Sequence, residues 1–178
     1  MGQSIALYEI SKEQFDILAQ NPSCFDEKMT EEYQVFENNF EGILFVLQKT
    51  ISDEYKEVIQ EVFYSKDHIG DSIIDYFDSL EGEYDGNSDF KDNAISYLPP
   101  KRVNLLNQIL NEIDKEYFLS QYNSEELNNN RVYPEIWHDH ETTDKAYNKL
   151  DIENGFDKLK MIFNEATKNK NYILSFLS

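Results

Sequence analysis

The sequence predicts an α+β fold, a small mixed sheet with several helices packed against it. Three observations predict it. Tyr97 to Tyr122 carries Val103, Leu106, Ile109, Leu110, Ile113 and Tyr117 three and four residues apart, the spacing of one buried helix face. Short β-prone runs, Ser4 to Ile10 and Tyr172 to Leu177, stand near the two ends. Only 6 glycines and 4 prolines occur among 178 residues, too few for an all-β fold built on tight turns. The length suits one domain over residues 1–178. A 40% hydrophobic and 14% aromatic content can fill its core, so the chain is no disordered acidic tail.

Taken in order, Ser4 to Ile10 alternates and is expected as a strand. Ser11 then caps a helix, with Gln14 completing a capping box and Ile10 and Phe15 forming a hydrophobic staple. Phe15, Leu18 and Ala19 should face inward, and Asn21-Pro22 ends the helix. Phe25 to Asn39 is acidic and weakly patterned. Phe36, Phe40, Ile43, Leu44 and Leu47 form the next helical stripe, in which Gly42 permits close approach of another backbone. Ser52 caps a helix that buries Tyr55, Val58, Ile59 and Val62. Ile73 to Phe77 and Ala94 to Leu98 are strand candidates on either side of an acidic loop. Pro99 and Pro100 open the central helix, where a missing N–H costs nothing. Ser124 caps one further turn. Val132 to Trp137 should be extended, because the residue before Pro134 avoids the helical region. Asp151 caps the last helix, with Ile152, Phe156, Leu159, Ile162, Phe163 and Ala166 inward. Asn169 to Asn171 turns the chain into the closing strand.

Charge is the loudest compositional feature. The formal net charge is −19, which repels nucleic acid and anionic lipid and makes both poor partners. The acidity is uneven. Residues 144–178 are near neutral, while 67–92 place nine acids against Lys91. High net charge serves solubility first; it also suits a basic protein partner. No apolar run is long enough to span a bilayer. The start of the chain has no signal-peptide pattern, and the lone Cys24 cannot form an internal disulfide. A reduced cytoplasmic setting is expected.

Candidate chemistry is sparse. Glu81 to Asp92 has the spacing of a calcium loop, with Gly86 at the turn. Its first ligand is Glu81 rather than Asp, its last is Asp92 rather than Glu, and Ser88 holds the place of the apolar anchor. A solvated acidic loop is the better reading. His138-Asp139-His140-Glu141 offers two histidines two residues apart, but a metal site needs three or four converging ligands. His68 stands alone, and Cys24 lacks an activating neighbour. No metal, cofactor or catalytic residue is therefore assigned. Tyr97, Tyr133 and Trp137 are candidates to line an aromatic cleft, against the simpler reading that they fill the core.

The residues also resemble a known family. Met1-Gly2 leads into the first strand, and a helix follows at Phe40 to Leu47. Then come Ile69-Gly70, Tyr97-Leu98-x-Pro100-x-x-Val103, Ile109-Leu110, Tyr122 and Val132-Tyr133-Pro134 with Trp137. The helix at Phe156 to Ala166 and the closing strand complete the order. Together they resemble the YfbM-like family of bacterial proteins, a domain of unknown function (DUF1877). The resemblance implies a compact α+β domain and no established activity. The family's Trp-x-x-Leu-His pattern falls here on Phe40, Ile43 and Leu44, so that histidine is missing. Pro99 replaces the usual Thr or Ser cap, a loss of about 1 kcal/mol.

Two functions follow from different classes. One is a non-enzymatic domain that binds a basic protein, with an immunity or antitoxin-like role as its specific form, through Asp78, Glu81, Glu83, Asp85 and Asp89. The alternative is a small-ligand binder or enzyme using the cleft beside Tyr97, Tyr133 and Trp137.

Overall fold

The first strand, β1 (Ser4–Ile10), is an interior strand of a sheet whose other strands come from distant parts of the chain. The computed structural model describes residues 2–70, 94–139 and 146–178. Its remaining strands are β2 (Glu32–Glu37), β3 (Asp67–Ile69), β4 (Ile95–Leu98) and β5 (Tyr172–Leu177). Their order is β2-β1-β5-β4-β3. Every described pairing is antiparallel rather than mixed. The helices are α1 (Lys12–Gln20), α2 (Phe40–Thr50), α3 (Lys56–Ile59), α4 (Pro100–Glu112), α5 (Lys115–Ser120), α6 (Ser124–Asn129) and α7 (Lys149–Asn169). The fold class is α+β, as expected.

Strand alternation divides the apolar residues between two layers. Ile5, Leu7, Phe36, Leu98 and Ile173 face the larger helical layer of α2, α4 and α7. Tyr8, Ile10, Ile95 and Leu174 face the opposite side, under Phe15 and Leu18 of α1. Ile10 and Phe15 share that cluster, and Ser11 Oγ accepts the Gln14 N–H at 3.3 Å, so the expected N-cap and staple are present, without the return bond from the Gln14 side chain among the described residues. Ala19 is exposed, one residue past the buried stripe.

The last helix follows its sequence pattern closely. Ile152, Phe156, Leu159, Ile162, Phe163 and Ala166 are all buried, each large side chain contributing about 1.5–3 kcal/mol through transfer from water. Its cap is Asn148 rather than Asp151. Asn148 accepts the Leu150 and Asp151 N–H groups, and Asp151 reaches back to the Asn148 N–H at 3.1 Å, a reciprocal capping box. Likewise α6 is capped by Asn123, with Ser124 already inside the first turn.

The 97–122 stretch is two helices. α4 buries Val103, Leu106, Ile109 and Leu110 and stops at Glu112. Ile113 takes an extended conformation, and Asp114 accepts the Tyr117 N–H at 2.8 Å to start α5. This break rotates Tyr117 out of the stripe, leaving it 51% exposed. Phe36 also leaves its predicted helix; it is a buried residue of β2. The strand candidate at Ile73 to Phe77 lies outside the described residues.

Gly42 has a packing role on α2. A Cβ there would lie 2.3 Å from Trp137 Cη2, so the close neighbour is an indole ring rather than another backbone. Trp137 is 2% exposed and its Nε1–H donates to the Val132 carbonyl at 2.9 Å. Both the ring and its tether therefore resist displacement.

Among the described residues, two carboxylates are buried. Glu61 receives a two-pronged contact from Arg102, Nε at 2.8 Å and Nη2 at 3.1 Å. Glu9 sits on the helical face of β1, where its Oε1 accepts Asn169 Nδ2 at 2.9 Å and Asn171 Nδ2 at 2.8 Å. These bonds tie the turn between α7 and β5 to β1. Lys170, in that turn, has φ 57°.

Gly42→Ala is expected to destabilise the fold. Overpacking costs about 1–3 kcal/mol, which outweighs the gain of about 1 kcal/mol from replacing a helical glycine. In urea unfolding the loss should disappear when Trp137→Phe is combined with it; a stabilising single substitution would refute this packing. Glu9→Ala leaves the buried Asn171 amide without its acceptor, while the exposed Asn169 can turn to water, and should cost about 1–3 kcal/mol. Glu9→Gln keeps an acceptor and should cost less, and equal losses would show that these hydrogen bonds do not anchor the turn.

Candidate functional site

β2 is the outer strand of the sheet, and its geometry follows from how β1 pairs. The Ser4 N–H donates to the Ser178 carbonyl at 2.8 Å and the Ser178 N–H returns to Ser4 at 2.9 Å. Alternate residues of β1 are thereby committed to β5, and those between them bond β2. The Asn38 N–H accordingly donates to the Gln3 carbonyl at 2.9 Å. With Ser4 opposite Glu37 and Ala6 opposite Val35, antiparallel alternation turns the backbone groups of Tyr33, Val35 and Glu37 away from β1. Among the described residues, nothing takes their N–H groups. The Val35 carbonyl accepts Lys158 Nζ at 3.3 Å. Glu31 also donates to Glu9 O at 2.9 Å although Glu9 is opposite Glu32, a bulge that bends the start of this edge.

The edge is acidic and aromatic. Asp26, Glu27, Glu31, Glu32 and Glu37 stand against Lys28 in the segment that forms it. Tyr33 is 55% exposed and stacks on Tyr8 at 5.7 Å. Tyr8 in turn donates to Glu27 Oε1 at 2.9 Å and meets the edge of Phe176 at 5.6 Å. Half-buried Ala6, Val35 and Phe176 continue the surface beside Tyr33.

A polar hollow of about 430 Å³ adjoins the edge where β2 runs into α2 and α7 begins. Glu37, Asn38, Asn39, Tyr147, Asp151 and Lys158 line it. Asn39 Nδ2 donates to the Asp151 carbonyl at 3.2 Å, and Asn38 Oδ1 accepts the Tyr133 hydroxyl at 2.9 Å. Two of its residues have left-handed backbones, Asn38 at φ 56° and Tyr147 at φ 65°. Asparagine tolerates that region, whereas tyrosine is strained there. Tyr147 is held by its carbonyl, which accepts the His138 N–H at 2.9 Å, and by its ring against Trp137 at 6.1 Å. Asp151, whose Oδ2 also accepts the Asn148 N–H, and Lys158 bring one carboxylate and one ammonium to the hollow, and Glu37 lies on the adjoining strand.

A second hollow, of about 500 Å³, lies at the start of α4 beside Pro99, Lys101, Arg102 and Leu105. Arg102 is already committed to Glu61 there.

The profile of a domain of unknown function, DUF1877, matches residues 1–176. The chain belongs to the DUF1877 family. The crystal structure of YfbM from Escherichia coli, a protein of unknown function, is similar to this DUF1877 chain with a TM-score of 0.59 and 14% identity, covering 99% of each chain. At that identity the likeness shows a shared fold alone. No curated protein matches the chain.

The three rings expected to line a cleft in this DUF1877 chain are separated. Tyr97 lies on the α1 side of the sheet against Phe15 at 4.7 Å. Trp137 is buried in the helical layer on the other side. Tyr133 bridges Asn38 and the Gln3 N–H through its hydroxyl. The sheet stands between Tyr97 and Trp137, so no single cleft takes in all three. Val132 to Trp137 is also a series of turns rather than an extended run, with Glu135 at φ 64°.

Asp78, Glu81, Glu83, Asp85 and Asp89 lie outside the described residues, as do the calcium-like spacing, His140 and Glu141. Among the described residues, no group of three His, Cys, Asp or Glu converges to hold a metal, and no helix is long and apolar enough to cross a membrane. His138 serves through its backbone: its carbonyl accepts the Tyr122 hydroxyl at 2.7 Å. His68 is exposed on β3. The β2 edge escaped sequence reasoning, although Tyr33 and Val35 between polar neighbours are a weak period-2 signal for it.

Burial pushes the Tyr122 hydroxyl well above the ordinary tyrosine range, with Asp139 and Asp151 adding to the effect. Burial raises Tyr64 similarly, aided by its hydrogen bond to Glu41, and raises Tyr8 and Tyr97. A raised folded value favours the protonated phenol. The associated stability is complete below the unfolded value near about 10 and is lost as pH rises through the folded values. Unfolding free energy should therefore fall as pH climbs above about 10. Tyrosinate absorbance of the folded chain should lag that of the denatured chain; coincident titrations would refute the assignment.

Proposed function

We propose that this DUF1877 domain is a non-enzymatic binding domain for a basic protein, in the manner of an immunity or antitoxin-like protein, and that it works in the cytoplasm. The observation that carries this reading is the excess of acidic over basic residues. The net charge is −19. Lys12, Lys49, Lys56, Lys66, Arg102, Lys115 and Lys168 each already face a carboxylate. Most of these pairs are exposed and worth little to stability. A field of one sign draws an oppositely charged partner and rejects others.

The test is affinity capture from the source organism's lysate, followed by a salt step. The expected result is one basic protein, held at modest ionic strength and released as salt screens the charges. Substituting Asp78, Glu81, Glu83, Asp85 and Asp89 together by lysine should abolish capture with the circular dichroism unchanged. Recovery of no salt-released basic protein would overturn the reading. Undiminished capture by the substituted chain would remove those five residues from it.

A further inference from the structure

We propose that the outer edge of β2 is the docking strand: an extended, lysine- or arginine-bearing segment of the partner adds to the sheet beside Tyr33, Val35 and Glu37 and seats one basic side chain in the adjoining hollow. This rests on the basic-partner reading above and adds to it a second contact, at the β2 edge, with a geometry.

The backbone comes first. An outer strand presents a row of N–H and C=O groups that water or another strand must satisfy. Here the N–H groups of Tyr33, Val35 and Glu37 are untaken among the described residues, and their spacing matches the alternate pairing of an added strand. Proteins commonly disarm such edges with a proline, a covering element or charges. β2 contains no proline. Its guards are the bulge at Glu31 and the Lys158 ammonium on the Val35 carbonyl at 3.3 Å. That single contact is exposed and comes from a flexible side chain, so it yields readily to a competing donor. It also shows that a cationic N–H donor fits this edge.

The side chains then choose the occupant. Glu31, Glu32 and Glu37 would repel a second copy of the same acidic strand and attract a basic one. Tyr33, 55% exposed, offers its face to a lysine or arginine. At the end of the strand lies the hollow of about 430 Å³. Asp151, already accepting the Asn148 N–H, lies in it beside Lys158, and Glu37 adds negative charge on the adjoining strand. A segment running along β2 passes its mouth, and the side chain that enters it is best an arginine or lysine. Backbone pairing would supply affinity, and this hollow the specificity.

The test uses the full chain and a defined probe, a blocked peptide of alternating lysine and valine, with a second version N-methylated at alternate residues. Amide exchange and backbone shifts are read by NMR. Binding should slow exchange at Tyr33, Val35 and Glu37, and the methylated peptide should bind at least about tenfold more weakly. Val35→Pro should do the same while sparing the β1 ladder, since the Val35 N–H points outward. Should that variant fold poorly, Glu32→Lys with Glu37→Lys keeps the backbone and should also weaken binding at least about tenfold. Absence of binding, equal binding of the methylated peptide, or shifts elsewhere with β2 unprotected would overturn the proposal. The captured partner separates the two readings. If it ignores Val35→Pro but releases in salt, the docking strand fails and the basic-partner reading stands. If no basic protein is captured yet the peptide protects β2, the reverse holds.

Discussion

Everything in this fold depends on β1 being hydrogen-bonded on both sides. The residue pair Ser4 and Ser178 closes the ladder between the first and last strands, and β2 closes the other flank. Once β1 is paired on both flanks, strand periodicity dictates its two faces. Ile5 and Leu7 meet the helical layer and Tyr8 and Ile10 meet α1. Glu9 then falls at the end of the helical face, where only a polar partner can satisfy it. Asn169 and Asn171 do so and thereby set where α7 stops and β5 starts. A charge buried without an opposite charge is costly unless hydrogen-bonded, which makes this contact a strong constraint on how the last helix is joined to the sheet.

The same ladder creates the surface feature with most functional meaning. A strand paired on one side alone must leave alternate backbone groups facing out. β2 combines those groups with acidic side chains, an exposed tyrosine and a hollow bordered by strained backbone at Tyr147. Strain of this kind persists only where surrounding contacts hold it, and here His138, Trp137 and the Asn148 capping box do. The helical layer beneath is closely packed: Gly42 seats Trp137, and Gly155 on α7 leaves room for Ile43, whose Cδ1 would lie 2.2 Å from an added Cβ. A firm base under an incompletely paired edge is a suitable platform for another chain.

Sequence periodicity identified the elements whose environment is one-sided and regular. β1 and β5 span the expected residues, and the stripe of α7 is buried as expected. The errors fall at element ends and edges. Asp114 ends one helix and caps the next, a choice the smooth stripe through Tyr117 concealed. Asn123 and Asn148 took caps assigned to Ser124 and Asp151, because several adjacent residues can accept the same N–H groups and the arriving chain direction selects among them. The β2 edge was hidden because an outer strand buries little on either side and so shows little alternation.

What the sequence determined by itself is local: the α+β class, the helix faces, the two terminal strands, the uneven acidity and the resemblance to DUF1877. These depend on residue spacing of a few positions, which the chain carries wherever it folds. What the tertiary structure decided is which distant segments meet. It placed Tyr97 and Trp137 on opposite sides of the sheet, seated an indole on Gly42, and brought the end of β2 against the start of α7. No local pattern encodes these, because strand order and helix crossing arise from burying all apolar faces at once.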